Sequence, residues 1–535
     1  MKTTIQIQPD KVLNSDFLGV GVNIIPVNLM KNNRAQGYTD AHWEMDKKRI
    51  IMMKPKVARV WFQIDWMEPE KGSYVWDRPE MLAFYSYMSV LQEAGTEVEL
   101  NFGWKIGRDV QSWFSIPGTE GRISAPKDLD AYATSCSALL NELIVNRGYA
   151  NVKYLSFYNE PNGHWDFDAP GDQKAYYADM LKRVSKKLEA DGRRSWVKIW
   201  GPEEVDSTGS WTHYMKDHAD EAIDEYTFHI YGGSYEEFGK QIALRRDYVA
   251  PKPVGVTEFG WSGDDESGWS AGFANYVIKA ANEGVHSALV WQLNGVWCED
   301  PDEAVNTNGV YTLWDSPILD LSPKKSYYAT SLLTRYIPSH CSVIAAEADS
   351  DEVRAAAFTT DTGHITILLE CKEGEAKQLQ LELEGASASK TRKWSKHVYK
   401  SDIILEGNAI IPPAEDINAQ PGDRLQLHVD GDYQFVILTT LPAQTQVEMT
   451  PISGEVASGE SLQLSARVID NADGVIWSIP GESGLGGQVT DEGLFIAPIV
   501  NEDRLIAVRA TSKADPEGFG IALIRVRAGK EDKDA

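Results

Sequence analysis

The chain of 535 residues carries 52 Lys plus Arg against 79 Asp plus Glu, a formal charge of −27, with 42% hydrophobic and 24% charged residues. Those fractions are globular, and a surface this acidic repels phosphate backbones and anionic headgroups, which sets nucleic-acid and membrane-surface binding aside. No apolar run approaches the ~20 residues that span a bilayer, and the four cysteines, Cys136, Cys298, Cys341 and Cys371, form no C-x-x-C pair, which favours free thiols over a zinc site or a disulfide scaffold.

The chain opens on MKTTIQIQPDKV, polar and alternating, without the apolar core of a secretory signal. The protein is therefore expected either in the cytoplasm or, if its start is trimmed, outside the cell or on its surface. TTIQIQP reads as a strand that joins the β-sandwich downstream rather than the unit that follows it directly. From residue 16 to 337 short apolar runs alternate with amphipathic helical stretches, the pattern of a parallel sheet with crossover helices. Eight strands are predicted: FLGVGVNI (17–24), KVARVWF (56–62), EVELNFGW (97–104), VKYLSFYNE (152–160), VKIWGP (197–202), YTFHIY (226–231), PVGVTEF (253–259) and SALVWQL (287–293). The helical stretches 79–95, 176–192 and 270–284 each end in Gly as a stop signal, and 322–337 supplies the last helix. The class is α/β, and the architecture a (β/α)8 TIM barrel over 16–337.

Past residue 340 the hydrophobic period changes to two. VRAAAFT, HITILLE, QLQLELE, RLQLHV and YQFVILTTL are short strands of a β-sandwich made of 1–15 and 338–442. A break at LPAQTQ introduces a third unit, 446–528, whose strand spacing and Trp477 predict an immunoglobulin-like sandwich without paired cysteines. The tail, 529–535, is expected to be disordered.

In such a barrel the chemistry lies at the C-terminal ends of the strands. Two predicted strands end in glutamate: strand 4 runs into Asn159-Glu160-Pro161-Asn162-Gly163, and strand 7 into Thr257-Glu258-Phe259-Gly260-Trp261. One such glutamate is ordinarily the chain emerging into solvent. Two, on strands 4 and 7 and each followed by Pro or Gly and aromatics, form a constellation. Arg59 lies in strand 2, Asn101 and Trp104 at the end of strand 3, His229 and Tyr231 at the end of strand 6, and Trp291 in strand 8. Trp61, Trp165 and Trp297 also fall at or beyond strand ends. Each supporting residue has a plain structural alternative, an ion pair or a packed core group. Rigid aromatic faces fill cores as well as stack on sugar rings. No phosphate-binding loop, His-rich metal motif or G-x-S-x-G elbow is present, so neither cofactor nor metal is indicated.

This ordered set resembles the retaining glycoside hydrolases of clan A. Asn159-Glu160-Pro161 matches their Asn-Glu-Pro motif after strand 4, Glu258 matches the strand 7 nucleophile by position, and Arg59, His229-Ile230-Tyr231 and Trp291 match the other marks. The barrel followed by a β-sandwich looks most like families 39, 30 and 51, and the run Glu68-Pro69-Glu70-Lys71-Gly72-Ser73-Tyr74-Val75-Trp76-Asp77 is similar to families 5, 39 and 42, which makes family 39 the common member. Strand 3 departs from family 5, whose barrels bring a histidine where this chain has Asn101 and Trp104. The resemblance implies a retaining O-glycosidase of β-linked oligo- or polysaccharide, with Glu258 as nucleophile, Glu160 as acid/base and Trp291 beneath the sugar. Arg59 and Tyr231 are expected to hold Glu258 ionised and lower its pKa, Asn159 to meet the 2-hydroxyl, and His229 to orient its neighbours or touch the ring hydroxyls. Two other readings use the same residues: a carbohydrate-binding or adhesion protein on an inactive barrel, and a transglycosylase.

Overall fold

The computed structural model describes residues 2–529 except 103–110, 164, 261–265, 295–310, 316–320, 372–376, 385–390, 401, 404, 406–408, 430–433, 470–473 and 482–485, and gives the backbone alone at 266–271. Eight parallel strands pair in chain order and close into a barrel. They are strand 1 (Gly19–Ile24), strand 2 (Val57–Phe62), strand 3 (Glu97–Phe102), strand 4 (Val152–Phe157), strand 5 (Lys198–Glu204), strand 6 (Glu225–Tyr231), strand 7 (Val254–Gly260) and strand 8 (Ser287–Val290). All eight coincide with predicted strands. They read as nearly continuous apolar runs because a parallel barrel buries both faces of each strand.

The crossover helices follow the stop signals. Pro79–Glu93 starts with Pro in its first turn, where the missing N–H costs nothing, and ends before Gly95, whose φ of 71° closes the turn left-handed. Gln173–Ala190 is capped by the Asp172 side chain, which accepts from the Ala175 N–H. Lys325–Tyr336 is the last barrel helix.

Two irregularities in the barrel matter for the site. Between strands 5 and 6 the register runs Pro202 opposite Thr227 and then Glu204 opposite Phe228, so Glu203 is an extra residue, with φ 61°. Between strands 6 and 7, Phe228 faces Val256 and His229 faces Glu258, which makes Thr257 extra. Such bulges re-aim side chains. In strand 7 the bulge lets the neighbours Thr257 and Glu258, which alternation would send to opposite faces, both serve the barrel interior, where Thr257 donates to Glu203 and Glu258 accepts from Arg59.

The strand Lys2–Phe17 lies inside a nine-stranded sheet, antiparallel to Cys341–Ala348 on one side and parallel to Lys377–Leu383 on the other. Ile5, Ile7, Ile344, Ile367, Leu369, Leu381 and Trp394 fill its separate core. The C-terminal unit has a four-stranded sheet ordered Ser453–Ala457, Phe519–Arg527, Arg504–Ser512, Val475–Ser478, with smaller two- and three-stranded sheets beside it. Among the described residues, Cys136, Cys341 and Cys371 are buried free thiols; Cys298 lies outside them.

Candidate active site

Arg59 is the hub. It is fully buried on strand 2, and its guanidinium fork reaches three ways. Nη1 donates to Glu258 Oε1 at 2.6 Å and to Asn23 Oδ1 at 3.1 Å, and Nη2 donates to Asn159 Oδ1 at 3.2 Å. Nε lies 3.4 Å from Glu203 Oε2 and 3.5 Å from Glu99 Oε1. One planar cation thus ties strands 1, 2, 3, 5 and 7 to the loop after strand 4. Its charge is locked on, because burial, which opposes it, is outweighed by Glu203, Glu258, Glu99 and Glu160.

Glu258 receives its second donor from strand 6: Tyr231 OH donates a hydrogen bond to Glu258 Oε2 at 2.5 Å. The expected lowering of its pKa is corrected by the burial it undergoes. Both donors do favour the ionised form, but desolvation is larger and Glu160 repels, so the Glu258 carboxyl is pushed up to about 7.

Glu160 is brought to the same point by a strained turn. Tyr158 has φ 59° and Glu160 φ 43°, a conformation costing non-glycine residues about 1–3 kcal/mol and found mostly where the surroundings fix a functional group. The turn is closed by the Gly163 N–H on the Glu160 carbonyl. Glu160 Oε1 faces His229 Nδ1 at 2.8 Å, and Oε2 accepts from Trp165 Nε1 at 2.8 Å. Ligand atoms of Glu160, His229 and Glu258 all lie within 4.8 Å of one another.

His229 stands between two carboxylates, with Nδ1 on Glu160 and Nε2 on Glu203 Oε2 at 2.9 Å. Burial would neutralise the ring, but Glu258, Glu160 and Glu203 together raise it to about 10. It is an imidazolium at neutral pH and donates from both nitrogens. With both nitrogens occupied, its geometry is that of an orienting group and not of a contact to sugar hydroxyls.

Glu203 and Glu99 are the parts that the sequence reading missed. Burial works against the charge of Glu203, yet Arg59, His229 and the Thr227 and Thr257 hydroxyls bring its carboxyl down to about 2. Glu99, buried beside it, is raised well above the carboxylate range by desolvation and by the charge of Glu203. A signal for Glu203 existed: it lies one residue past the predicted end of strand 5, the kind of position that singled out Glu160. Glu99 carried none, being embedded in an apolar run. Glu204, next to Glu203 in strand 5, is a structural group, bound to Arg245 Nε at 2.8 Å and to the Thr212 hydroxyl at 2.6 Å.

The other candidates divide. Asn159 joins the cluster, accepting from Arg59 and donating to Asp166 Oδ2 at 2.7 Å. Trp291 ends strand 8 packed on Trp61 with ring centroids 5.3 Å apart. Trp165 keeps 42% of its surface exposed beside Glu160, an apolar face open to a ligand. Asn101 stands behind the site: it is fully buried and donates to Ser156 Oγ and the Tyr158 carbonyl, which braces the strained turn. Trp104, Trp261 and Trp297 lie outside the described residues. A cation could be surrounded by Glu160, His229 and Glu258, but Arg59 and the His229 imidazolium already supply positive charge there, and a divalent ion would meet both. Chemically, the arrangement offers two carboxyls at one point, one gripped by donors to its ionised form and one beside a proton-bearing imidazolium.

No protein-family model matches the chain, and no curated protein matches it in sequence. Solved structures match it in fold. A glycoside hydrolase family 30 subfamily 8 xylanase from Clostridium acetobutylicum superposes with a TM-score of 0.58 at 14% identity, over 82% of this chain and 99% of its own. A glucosidase from Croceicoccus marinus gives 0.58 at 12% identity, over 82% and 99%. A family 39 glycoside hydrolase from Bacteroides cellulosilyticus gives 0.51 at 15% identity, over 81% and 83%. The chain thus has the fold of the clan A glycoside hydrolases that its motifs resemble, a (β/α)8 barrel joined to a large β-rich part.

Proposed function

We propose that the protein is a retaining O-glycosidase that cleaves β-linked oligo- or polysaccharide by double displacement. The observation that carries the reading is the approach of Glu160 and Glu258: one carboxylate oxygen of each lies within 4.8 Å of the other, and His229 Nδ1 lies 2.8 Å from Glu160 Oε1 and 3.5 Å from Glu258 Oε2. Direct attack suits carboxyls ~5–5.5 Å apart, whereas ~6.5–9.5 Å is needed to admit a water for inversion.

The donors around Glu258 and the imidazolium beside Glu160 support this division of roles. Glu258, oriented by Arg59 and Tyr231, attacks the anomeric carbon while Glu160 gives its proton to the leaving glycosidic oxygen. A covalent glycosyl ester on Glu258 results. Glu160, now a carboxylate, takes a proton from water as that water displaces Glu258 and releases the sugar with its configuration retained. His229 Nδ1, which carries a proton, lies 2.8 Å from Glu160 Oε1, so the pair keeps a transferable proton beside the leaving group. Glu203 fixes the far side of the ring and acts as a positioning residue. The xylanase, glucosidase and family 39 likenesses support glycosidic substrates as a class, and the exposed indole of Trp165 beside Glu160 supports an aromatic platform on the leaving-group side.

The test is the configuration of the first-formed product, followed by proton NMR on an aryl β-glycoside or oligosaccharide drawn from a broad panel. Retained anomeric configuration, lost together with turnover in Glu258→Ala, is the expected result. An inverted product, or turnover that survives Glu258→Ala, would overturn the assignment.

A further inference from the structure

At the opposite, N-terminal rim of the barrel a second cluster has no part in the chemistry above. We propose that Asp16, His286 and His340 form a binding site for one divalent transition-metal ion of the zinc class. The three residues come from three different segments: the strand Lys2–Phe17, the residue before strand 8, and the link between the last barrel helix and the strand Cys341–Ala348. Their ligand atoms lie within 4.8 Å of one another. His340 Nδ1 is 2.8 Å from Asp16 Oδ1, and His286 Nε2 is 3.8 Å from Asp16 Oδ2.

The second observation is what stands behind each ring. His286 Nδ1 meets Glu225 Oε2 at 2.7 Å, and His340 Nε2 meets Glu97 Oε1 at 3.2 Å, with the other Glu97 oxygen accepting from Tyr154 OH at 2.6 Å. Each imidazole therefore has one nitrogen fixed by a carboxylate and the other turned toward Asp16, and a bound ion would displace the proton that His340 Nδ1 shares with Asp16. Metal-binding histidines are supported in this way: the outer carboxylate sets the tautomer and raises the basicity of the ligating nitrogen. Two imidazoles and a carboxylate are a donor set for zinc and its neighbours and not for calcium or magnesium, which take oxygen ligands. His340 has φ 48°, a left-handed conformation for a non-glycine residue. Asp16 and His340 are about half exposed, at 52% and 45% of their side-chain surface, while His286 is buried. An ion can enter from solvent and keep water on its remaining positions. Lys198, at the start of strand 5, acts on both Asp16 and His286 and opposes the ion's charge, whereas Glu97 and Glu225 favour it. Bound there, the ion ties the barrel rim to the two chain segments that lead into the large sheet, a role in stability independent of the glycosidase reading.

The experiment is calorimetric titration of zinc alone into the chelator-stripped full-length protein, with cobalt absorption as a second readout. Expected are one zinc per chain, a visible ligand-field band with cobalt, and a melting temperature raised by zinc. His340→Ala and the shape-preserving Asp16→Asn should each weaken binding by at least ~100-fold, and Glu97→Gln by ~10–100-fold, while Glu258→Gln, which alters the other three-residue cluster, should bind as wild type. Wild-type protein that takes up no zinc, or zinc that binds His340→Ala and Asp16→Asn as tightly as wild type, would overturn the site. Binding lost in Glu258→Gln would move the ion to the other cluster and overturn it equally.

Discussion

The Glu258 carboxyl shows how burial and pairing compete at one residue. Two donors and an imidazolium favour its ionised form, yet removal from water and the neighbouring Glu160 leave it near 7. A nucleophile must be deprotonated, so kcat/KM, which reports the free enzyme, should fall about tenfold per pH unit below roughly 7. Tyr231→Phe removes one hydrogen bond to the charged form. Such bonds are worth ~1.5–3 kcal/mol, and 1.36 kcal/mol corresponds to one pKa unit. The acidic limb should therefore move up by about one to two units while the fold is kept. A limb that stays in place would show that Glu258 is not the group being titrated. Reading by residue type picked out both glutamates because each lies at or near the end of a recognisable strand, and Arg59 entered through the resemblance to clan A. It could not find the pKa of Glu258, which depends on how completely water is excluded.

At the scale of single elements, alternation along strands is a good guide until a bulge breaks it. Strand 5 is predicted to end at Pro202. The chain instead continues to Glu204 by making Glu203 an extra residue, and a rule of alternation has no place for it. The loop after strand 4 hides a similar contact. Gly163 has no functional atom, but a Cβ there would lie 2.4 Å from the Trp165 indole. Only glycine lets that ring cross the backbone closely and donate to Glu160. Gly163→Ala must push the indole away and break the bond. With the bond worth about 1.5 kcal/mol, we expect roughly tenfold lower kcat/KM on glycosides with poor leaving groups, little change on activated aryl glycosides, and an unaltered melting curve. Equal loss on both substrate types would mean that Trp165 supports something other than proton delivery.

Across the whole molecule, the association of the C-terminal unit with the barrel was invisible in the sequence. The helix Asp40–Met53 between strands 1 and 2 carries Glu44 and Lys48, which on helical spacing belong to a solvent face, yet both are buried. Ala507, Phe519 and Ile521 of the C-terminal sheet belong to the same apolar cluster as the barrel core. Glu517 pairs with Lys54 at 2.9 Å, just past that helix, and lies 3.5 Å from Arg335 on the last barrel helix. This contact is on the flank and N-terminal side of the barrel, away from Glu160 and Glu258. Deleting 445–535 should therefore leave kcat on small aryl glycosides unchanged at moderate temperature. Stability should fall, because burying one large apolar side chain contributes ~1.5–3 kcal/mol and each kcal/mol shifts the midpoint of a domain this large by ~2–4 °C. We expect the barrel's Tm to drop by about 5–10 °C in calorimetry. An unchanged Tm would make the C-terminal unit a tethered appendage, and a loss of activity below the melting range would mean that it shapes the cavity from a distance. The charge pattern favours the first expectation: two basic residues converge on Glu517 in a chain with a net charge of −27, which marks this flank as a place where the acidic surface is locally reversed to receive a neighbour.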